Sequence, residues 1–399
     1  MQERETIMEK RKIAERLNHL VLFKTLEEDE LIKALGELMG ADESQAEGKF
    51  LNLAAVLYTR GTDLGQALMN LLKRCDNHIV RTCCHGDAIS QHEDKWLTEE
   101  LRTFQAAALS SDDYKKLFNL DSALPSWSSE PLDFDSEYRA MLAQAPTGGF
   151  GIFAEYHVFT LGDDGHIYPV SHPDPQTLDQ LYHCDREKNI VLKNTQALLS
   201  GLRANNVLLY GDAGTGKSSL VKAVANHFAP MGLRLIQVNK EHICHIPDLL
   251  DDLSGNPLKF IIFIDDLSFT SNDKEFTALK TVLEGSVTAR SHNTVVYATS
   301  NRRHLVNETF QSRQGDEVHL NDTLEEVSSL SARFGIVLTY GKPNKDGFLQ
   351  LVSSIANQYG LKMPEDELFI GAEAYALRNG GRSPRVAKQY VEYKIAMDM

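Results

Sequence analysis

The chain has 399 residues, 42% hydrophobic and 24% charged, a composition that excludes disordered and fibrous classes and leaves room for more than one core. Its 56 Asp+Glu outweigh 41 Lys+Arg to give a net charge of −15, which argues against coating nucleic acid or anionic membrane by bulk charge and leaves only a local basic patch for such contacts. The five cysteines, at 75, 83, 84, 184 and 244, form no disulfide framework and point to a reducing compartment. No apolar run approaches the roughly 20 residues of a membrane helix and no signal-type segment opens the sequence, so the expected location is the cytoplasm, with no membrane partner.

Residues 1–120 carry apolar positions at three- and four-residue spacing around Ile13–Phe23, Leu31–Met39, Phe50–Tyr58, Leu64–Leu72 and Trp96–Phe104, which predicts an N-terminal all-α domain. Residues 121–149 lose that period, gather Ser, Pro and Gly, and read as a linker or an ordered strap. Alternation then resumes on either side of Asp163-Asp164-Gly165, as expected of a β-hairpin. From 150 to 340 short apolar runs alternate with helical patterns, the signature of a parallel α/β sheet. The runs are Asn206–Tyr210, Leu233–Val238, Phe260–Ile264, Thr294–Thr299 and Gly335–Tyr340. Residues 341–399 return to helices.

One motif dominates. Gly211, Asp212, Ala213, Gly214, Thr215, Gly216, Lys217 and Ser218 fit G-x-x-x-x-G-K-[S/T], with a buried strand before them and an amphipathic helix beginning at Ser219 after them. Glycines let successive N–H groups turn toward phosphate oxygens, and the helix N-terminus adds its partial positive charge. Lys217 is expected to reach the β- and γ-phosphates and Ser218 to ligate Mg2+. Downstream, the apolar run Phe260–Ile264 ends in Asp265-Asp266, a Walker B pattern at the carboxyl edge of the sheet. There Asp265 would hold Mg2+ and Asp266 would orient or deprotonate the attacking water. A third strand ends in Ser300-Asn301, which places Asn301 near the γ-phosphate. Arg333 precedes the last strand of the α/β segment. Arg385 falls in the first turn of the final helix, with Ser383 as its cap and Pro384 at its first position.

The order of phosphate loop, Asp-Asp strand, strand-Asn, Ala332-Arg333-Phe334-Gly335 and Ser383-Pro384-Arg385-Val386-Ala387, followed by helices, resembles AAA+ ATPases. The last two elements look like those of the Holliday-junction branch-migration motor, and Ile264-Asp265-Asp266-Leu267 looks like the replication-initiator and helicase-loader branch. The closest resemblance, over about 150–399, is to a widespread bacterial AAA+ family of unknown function whose members are described mostly as ATP-binding proteins. It rests on Asn205–Gly211, Lys217–Lys222, Asp265–Phe269 and Tyr297–Leu305. That resemblance implies an α/β P-loop core with a five-stranded parallel sheet, a C-terminal helical lid, and ATP with Mg2+ in the site. It implies Arg333 as an arginine finger, hence a homo-oligomeric ring, and Arg385 as the sensor 2 arginine. It supplies no substrate. Two departures stand out: Asp266 replaces the usual Glu and is one methylene shorter, and Ala332 stands where relatives carry an acid.

Two functions follow. One is an ATPase that drives conformational change on an unknown partner held by the N-terminal helices. The other is a slowly hydrolysing or non-hydrolysing ATP-dependent switch or loader for a protein or nucleic acid, which the Asp-Asp pair favours. A P-loop kinase would need an arginine-rich lid, and the terminal helices offer only Arg378, Arg382 and Arg385. Nucleic-acid remodelling stays open despite the charge. Asn239, at the end of the second predicted core strand, is a candidate to restrain Asp266, and Tyr182 to contact adenine. Cys83-Cys84-His85 suits buried packing better than metal, because adjacent cysteines on a helix diverge by about 100°. Arg302-Arg303-His304 reads as a subunit contact or a solvated loop.

Overall fold

The computed structural model describes residues 2–182, 184–267, 274–284, 292–301 and 332–397. The chain divides into two compact units, 1–155 and 156–399.

The first unit is all-helical: α1 (Gln2–Leu17), α2 (Glu30–Met39), α3 (Glu43–Tyr58), α4 (Leu64–Arg74), α5 (His78–Cys84), α6 (Gln91–Ala107), α7 (Ser111–Phe118), α8 (Phe134–Gly148) and the single turn α9 (Ile152–Glu155). Its core centres on Phe23, whose ring meets Phe104 at 5.8 Å and Tyr138 at 5.3 Å, both edge-on. Of the two readings of 121–149, the linker is corrected here. Trp127 is buried and packs its ring 4.6 Å from Phe50, while its indole N–H donates to Leu109 O at 3.2 Å. Residues 134–148 form α8, which buries Phe134, Tyr138, Leu142 and Ala145 in the same core. Sparse apolar residues suffice when two of them, Phe134 and Tyr138, are fully enclosed aromatics, and the Asp133 carboxylate caps the helix by accepting Ser136 N–H at 3.2 Å. Pro146 near its C-terminus masked the helical pattern.

The second unit is built on one sheet in the order β2-β1-β4-β5-β6-β3-β7. Its strands are β1 (Val158–Leu161), β2 (Ile167–Pro169), β3 (Val207–Gly211), β4 (Leu233–Val238), β5 (Lys259–Ile264), β6 (Thr294–Ser300) and β7 (Ile336–Tyr340). The five predicted apolar runs are the five strands β3–β7, all paired in parallel. The sheet has seven strands rather than five because the hairpin joins it: β1 pairs parallel with β4 and antiparallel with β2. β5 and β6 lie mid-sheet with nearly every residue buried, which is why they read as unbroken apolar runs rather than alternation. Helices α10 (Asp185–Leu199), α11 (Lys217–Phe228), α12 (Ile246–Ser254) and α13 (Lys274–Glu284) occupy the crossovers. Three terminal helices, α14 (Lys345–Tyr359), α15 (Glu365–Arg378) and α16 (Pro384–Met397), close on their own core of Phe348, Leu351, Val352, Leu368, Ala372, Ala387 and Tyr390. Among the described residues no helix is long and apolar enough to cross a membrane.

Candidate functional site

The loop from β3 to α11 lies at the carboxyl edge of the sheet, where parallel strands open toward a crevice. Gly211 ends β3 at φ +137°, and a Cβ there would stand 1.9 Å from Tyr340 O on β7. Only glycine permits this approach, which Asp212 N–H completes by donating to the same carbonyl at 3.0 Å. Gly214 and Gly216 also take positive φ, and Gly216 hands the chain to α11 at Lys217. Thr215 Oγ1 donates to Asp212 O at 2.8 Å and closes the loop.

Lys217 is 5% exposed, and its Nζ donates to Gly211 O at 3.0 Å, Asp212 O at 2.7 Å and Asn301 Oδ1 at 3.0 Å. Burial pulls its pKa below the usual lysine range, opposed by the carboxylates of Asp266, Asp212 and Asp265 and reinforced by Arg385. The next residue, Ser218, donates its hydroxyl to Asp265 Oδ1 at 2.6 Å. Asp265 follows β5 directly, as the sequence requires, and Asp266 behind it adopts the left-handed region at φ +53°. Asn301, one residue beyond β6, donates Nδ2–H to Asp266 Oδ1 at 2.7 Å. The Asn301 amide therefore bridges the phosphate-loop ammonium and the second Walker B carboxylate. Asn239, the candidate for restraining Asp266, is exposed at the end of β4 and does not line the cleft; Asn301 makes that contact instead.

The cleft encloses about 610 Å³, within the range of small-molecule sites. Its lining joins Ala213–Ser219, Asp265, Asp266, Thr299 and Asn301 to the more apolar set Leu181, Tyr182, Cys184, Leu351, Ile355, Gln358 and Tyr359. Tyr182 donates its hydroxyl to Gln358 Oε1 at 2.5 Å, tying the approach to α10 onto α14. Arg385 lines the cleft from α16, and its backbone N–H donates to Gly214 O at 3.2 Å; the predicted cap is present, since Ser383 Oγ accepts Val386 N–H at 3.3 Å. Arg382 is paired with Glu373 at 2.6 and 2.8 Å and does not line the cleft, nor does Arg378. Arg333, half-buried just before β7, lies outside the residues that line it. Arg302, Arg303 and His304 fall outside the described residues. Cys84, in the first unit, is buried and donates to Ala145 O at 3.5 Å, and burial pushes its thiol up to about 11.

Thr299 is the site residue that sequence reasoning missed. It is buried, it donates to Asp265 Oδ1 at 2.5 Å, and it accepts Asp266 N–H at 2.9 Å. Its signal was its position, at the carboxyl end of a core strand two residues before Asn301. Within an apolar strand a threonine reads as an ordinary β-former, and its use emerges only when β5 and β6 pair.

The donors fit a magnesium triphosphate. Hydroxyl and carboxylate oxygens of Ser218 and Asp265 meet at 2.6 Å, a hard-oxygen pair of the kind Mg2+ takes beside phosphate oxygens. The side-chain-free turns at Gly211, Gly214 and Gly216 bring the backbone to the mouth of α11 with no Cβ in the way.

A parallel sheet with the strand sequence β4-β5-β6-β3-β7, a phosphate loop after β3, acids after β5, a polar residue after β6 and a helical lid define an α/β P-loop protein of the AAA+ class. Within it, residues 154–397 match the family described as Protein of unknown function (DUF815), and the chain belongs to that family. No curated protein matches the chain. Solved structures similar to it include the RuvB Holliday junction branch migration motor of Thermotoga maritima, at 16% identity and a TM-score of 0.39. A single-substitution form of that motor gives 17% and 0.40. In both cases the alignment covers 56% of this chain and 65% of the other, so this chain spans less than two thirds of their length.

Proposed function

We propose that the protein binds ATP with Mg2+ in this cleft and hydrolyses it to ADP and phosphate, using the cycle to change conformation on a partner. The observation that carries this reading is the connected set Lys217–Asn301–Asp266 and Ser218–Asp265, which joins the phosphate loop to the acidic strand end through hydrogen bonds of 2.6–3.0 Å. Lys217 exchanges its carbonyl and amide partners for β- and γ-phosphate oxygens, and Arg385 adds a second cation as charge develops. Ser218 and Asp265 would hold the metal, which would neutralise phosphate charge. Asp266 accepts a proton from water as the water oxygen bonds to the γ-phosphorus and the bond to the β–γ bridging oxygen breaks; Asn301 orients that carboxylate. Arg333 acts on the nucleotide of a neighbouring copy, which makes the working form a homo-oligomeric ring, placed in the cytoplasm. The helices of residues 1–155 grip a protein partner.

A second reading, an ATP-dependent switch that turns over slowly, is favoured by one observation: Asp266 is short, kinked at φ +53° and already held by Asn301. A kinase reading is weakened by Arg382, which Glu373 engages away from the cleft. Phosphate release separates the first two. Lys217→Ala is expected to abolish binding and turnover, and Asp266→Asn to retain binding while slowing turnover by about 10²–10⁴-fold. Turnover unchanged by both substitutions would end the hydrolysis reading, and measurable ATP binding with negligible wild-type turnover would select the switch.

A further inference from the structure

We infer that Thr299 is a positioning residue for the metal-binding carboxylate, a role that rests on the nucleotide reading above. Thr299 stands next to last on β6, is 2% exposed, and spends its single hydroxyl on two successive acids. Its proton goes to Asp265 Oδ1 at 2.5 Å, and a lone pair takes Asp266 N–H at 2.9 Å. Its carbonyl accepts Leu267 N–H at 2.7 Å, so this one residue grips residues 265, 266 and 267 in turn.

The geometry explains why a hydroxyl is needed there. Ser218 and Thr299 both donate to the same oxygen, Asp265 Oδ1, from opposite elements, α11 and β6. Two donors on one oxygen fix the rotation of the carboxylate about its Cβ–Cγ bond. Were the Ser218 hydroxyl engaged by a cation, Thr299 would be the contact that keeps the Asp265 carboxylate in place. The second bond pins the Asp266 amide, whose left-handed backbone is uncommon for any residue but glycine. Valine has the shape of threonine and suits a strand, so the hydroxyl can be removed at nearly constant volume.

The test is titration calorimetry of ATP onto the full chain, with EDTA and with Mg2+, for the wild type, Thr299→Val and Thr299→Ser. Wild type should gain affinity from Mg2+. Measured against its own affinity in EDTA, the valine variant should need about tenfold or more Mg2+ than wild type to reach half of its Mg2+-dependent gain, as expected on losing a hydrogen bond to a charged group. The serine variant, which keeps the hydroxyl and loses the methyl, should restore the wild-type gain. An unchanged Mg2+ requirement in the valine variant overturns the proposal. Should the valine variant fail to fold, a serine variant without the wild-type gain overturns it equally. Absence of ATP binding by the wild type in both conditions strikes the nucleotide reading itself, a result distinct from either.

Discussion

At the scale of single residues, chemistry in the cleft is governed by burial. Lys217 keeps its charge inside the protein only because two carbonyls and an amide oxygen surround it, and each is a partner that a phosphate oxygen can replace. Cys184, which lines the same cleft, shows burial without such partners among the described residues: its thiol is pushed up to about 11 by desolvation, with Lys188 opposing only in part. A raised thiol pKa lowers the thiolate fraction at every pH below it. Iodoacetamide at pH 8 should therefore modify the exposed Cys244 first and leave Cys184 nearly untouched. Labelling of Cys184 should then rise about tenfold per unit as pH approaches 11, and slow again when ATP is added. Mass spectrometry of the alkylated peptides checks this. Early, pH-independent labelling of Cys184 would contradict both its burial and its place in the cleft.

At the scale of elements, α8 shows how a segment with weak periodicity becomes structural. Tyr138 is wholly buried, packs its ring on Phe23, and accepts Asn77 Nδ2–H on its hydroxyl at 2.9 Å. Nearby, the carboxylate of Glu100 on α6 accepts the backbone N–H groups of Val21, Leu22 and Phe23 at 2.7–3.2 Å and holds the turn after α1 against the same core. Tyr138→Ala removes an enclosed aromatic and strands the Asn77 amide, so it should cost the first unit about 3–5 kcal/mol. Urea unfolding followed by circular dichroism measures it. A cost below about 1 kcal/mol would return residues 121–149 to the role of a mere connector.

At the scale of the whole molecule, each unit carries its own core, and only residues 156–399 hold the cleft. Ligand that binds the folded state alone stabilises it by about 2.7 kcal/mol at a hundredfold excess over Kd. Scanning calorimetry should show MgATP raising the unfolding of the second unit while leaving the first in place, and Lys217→Ala should cancel the shift. A ligand-dependent rise confined to the first unit would place the nucleotide elsewhere.

The phosphate loop, the acid pair and the five core strands were legible in the sequence because their constraints are local. A buried parallel strand must be apolar, a backbone nest needs glycine, and a lysine after the last glycine must sit at a helix mouth. The residues that connect these pieces were not legible in the same way. Thr299 touches Asp265, and Asn301 rather than Asn239 holds Asp266, through contacts that span 34 and 35 positions along the chain. Likewise, β1 joins the sheet through β4 and α8 joins the first core through Phe23, pairings that depend on which surfaces meet after folding. The amino-acid sequence thus determined which chemical groups the cleft contains. Tertiary structure decided which of them share a proton, because hydrogen bonds of under 3 Å between distant positions are set by strand register rather than by composition.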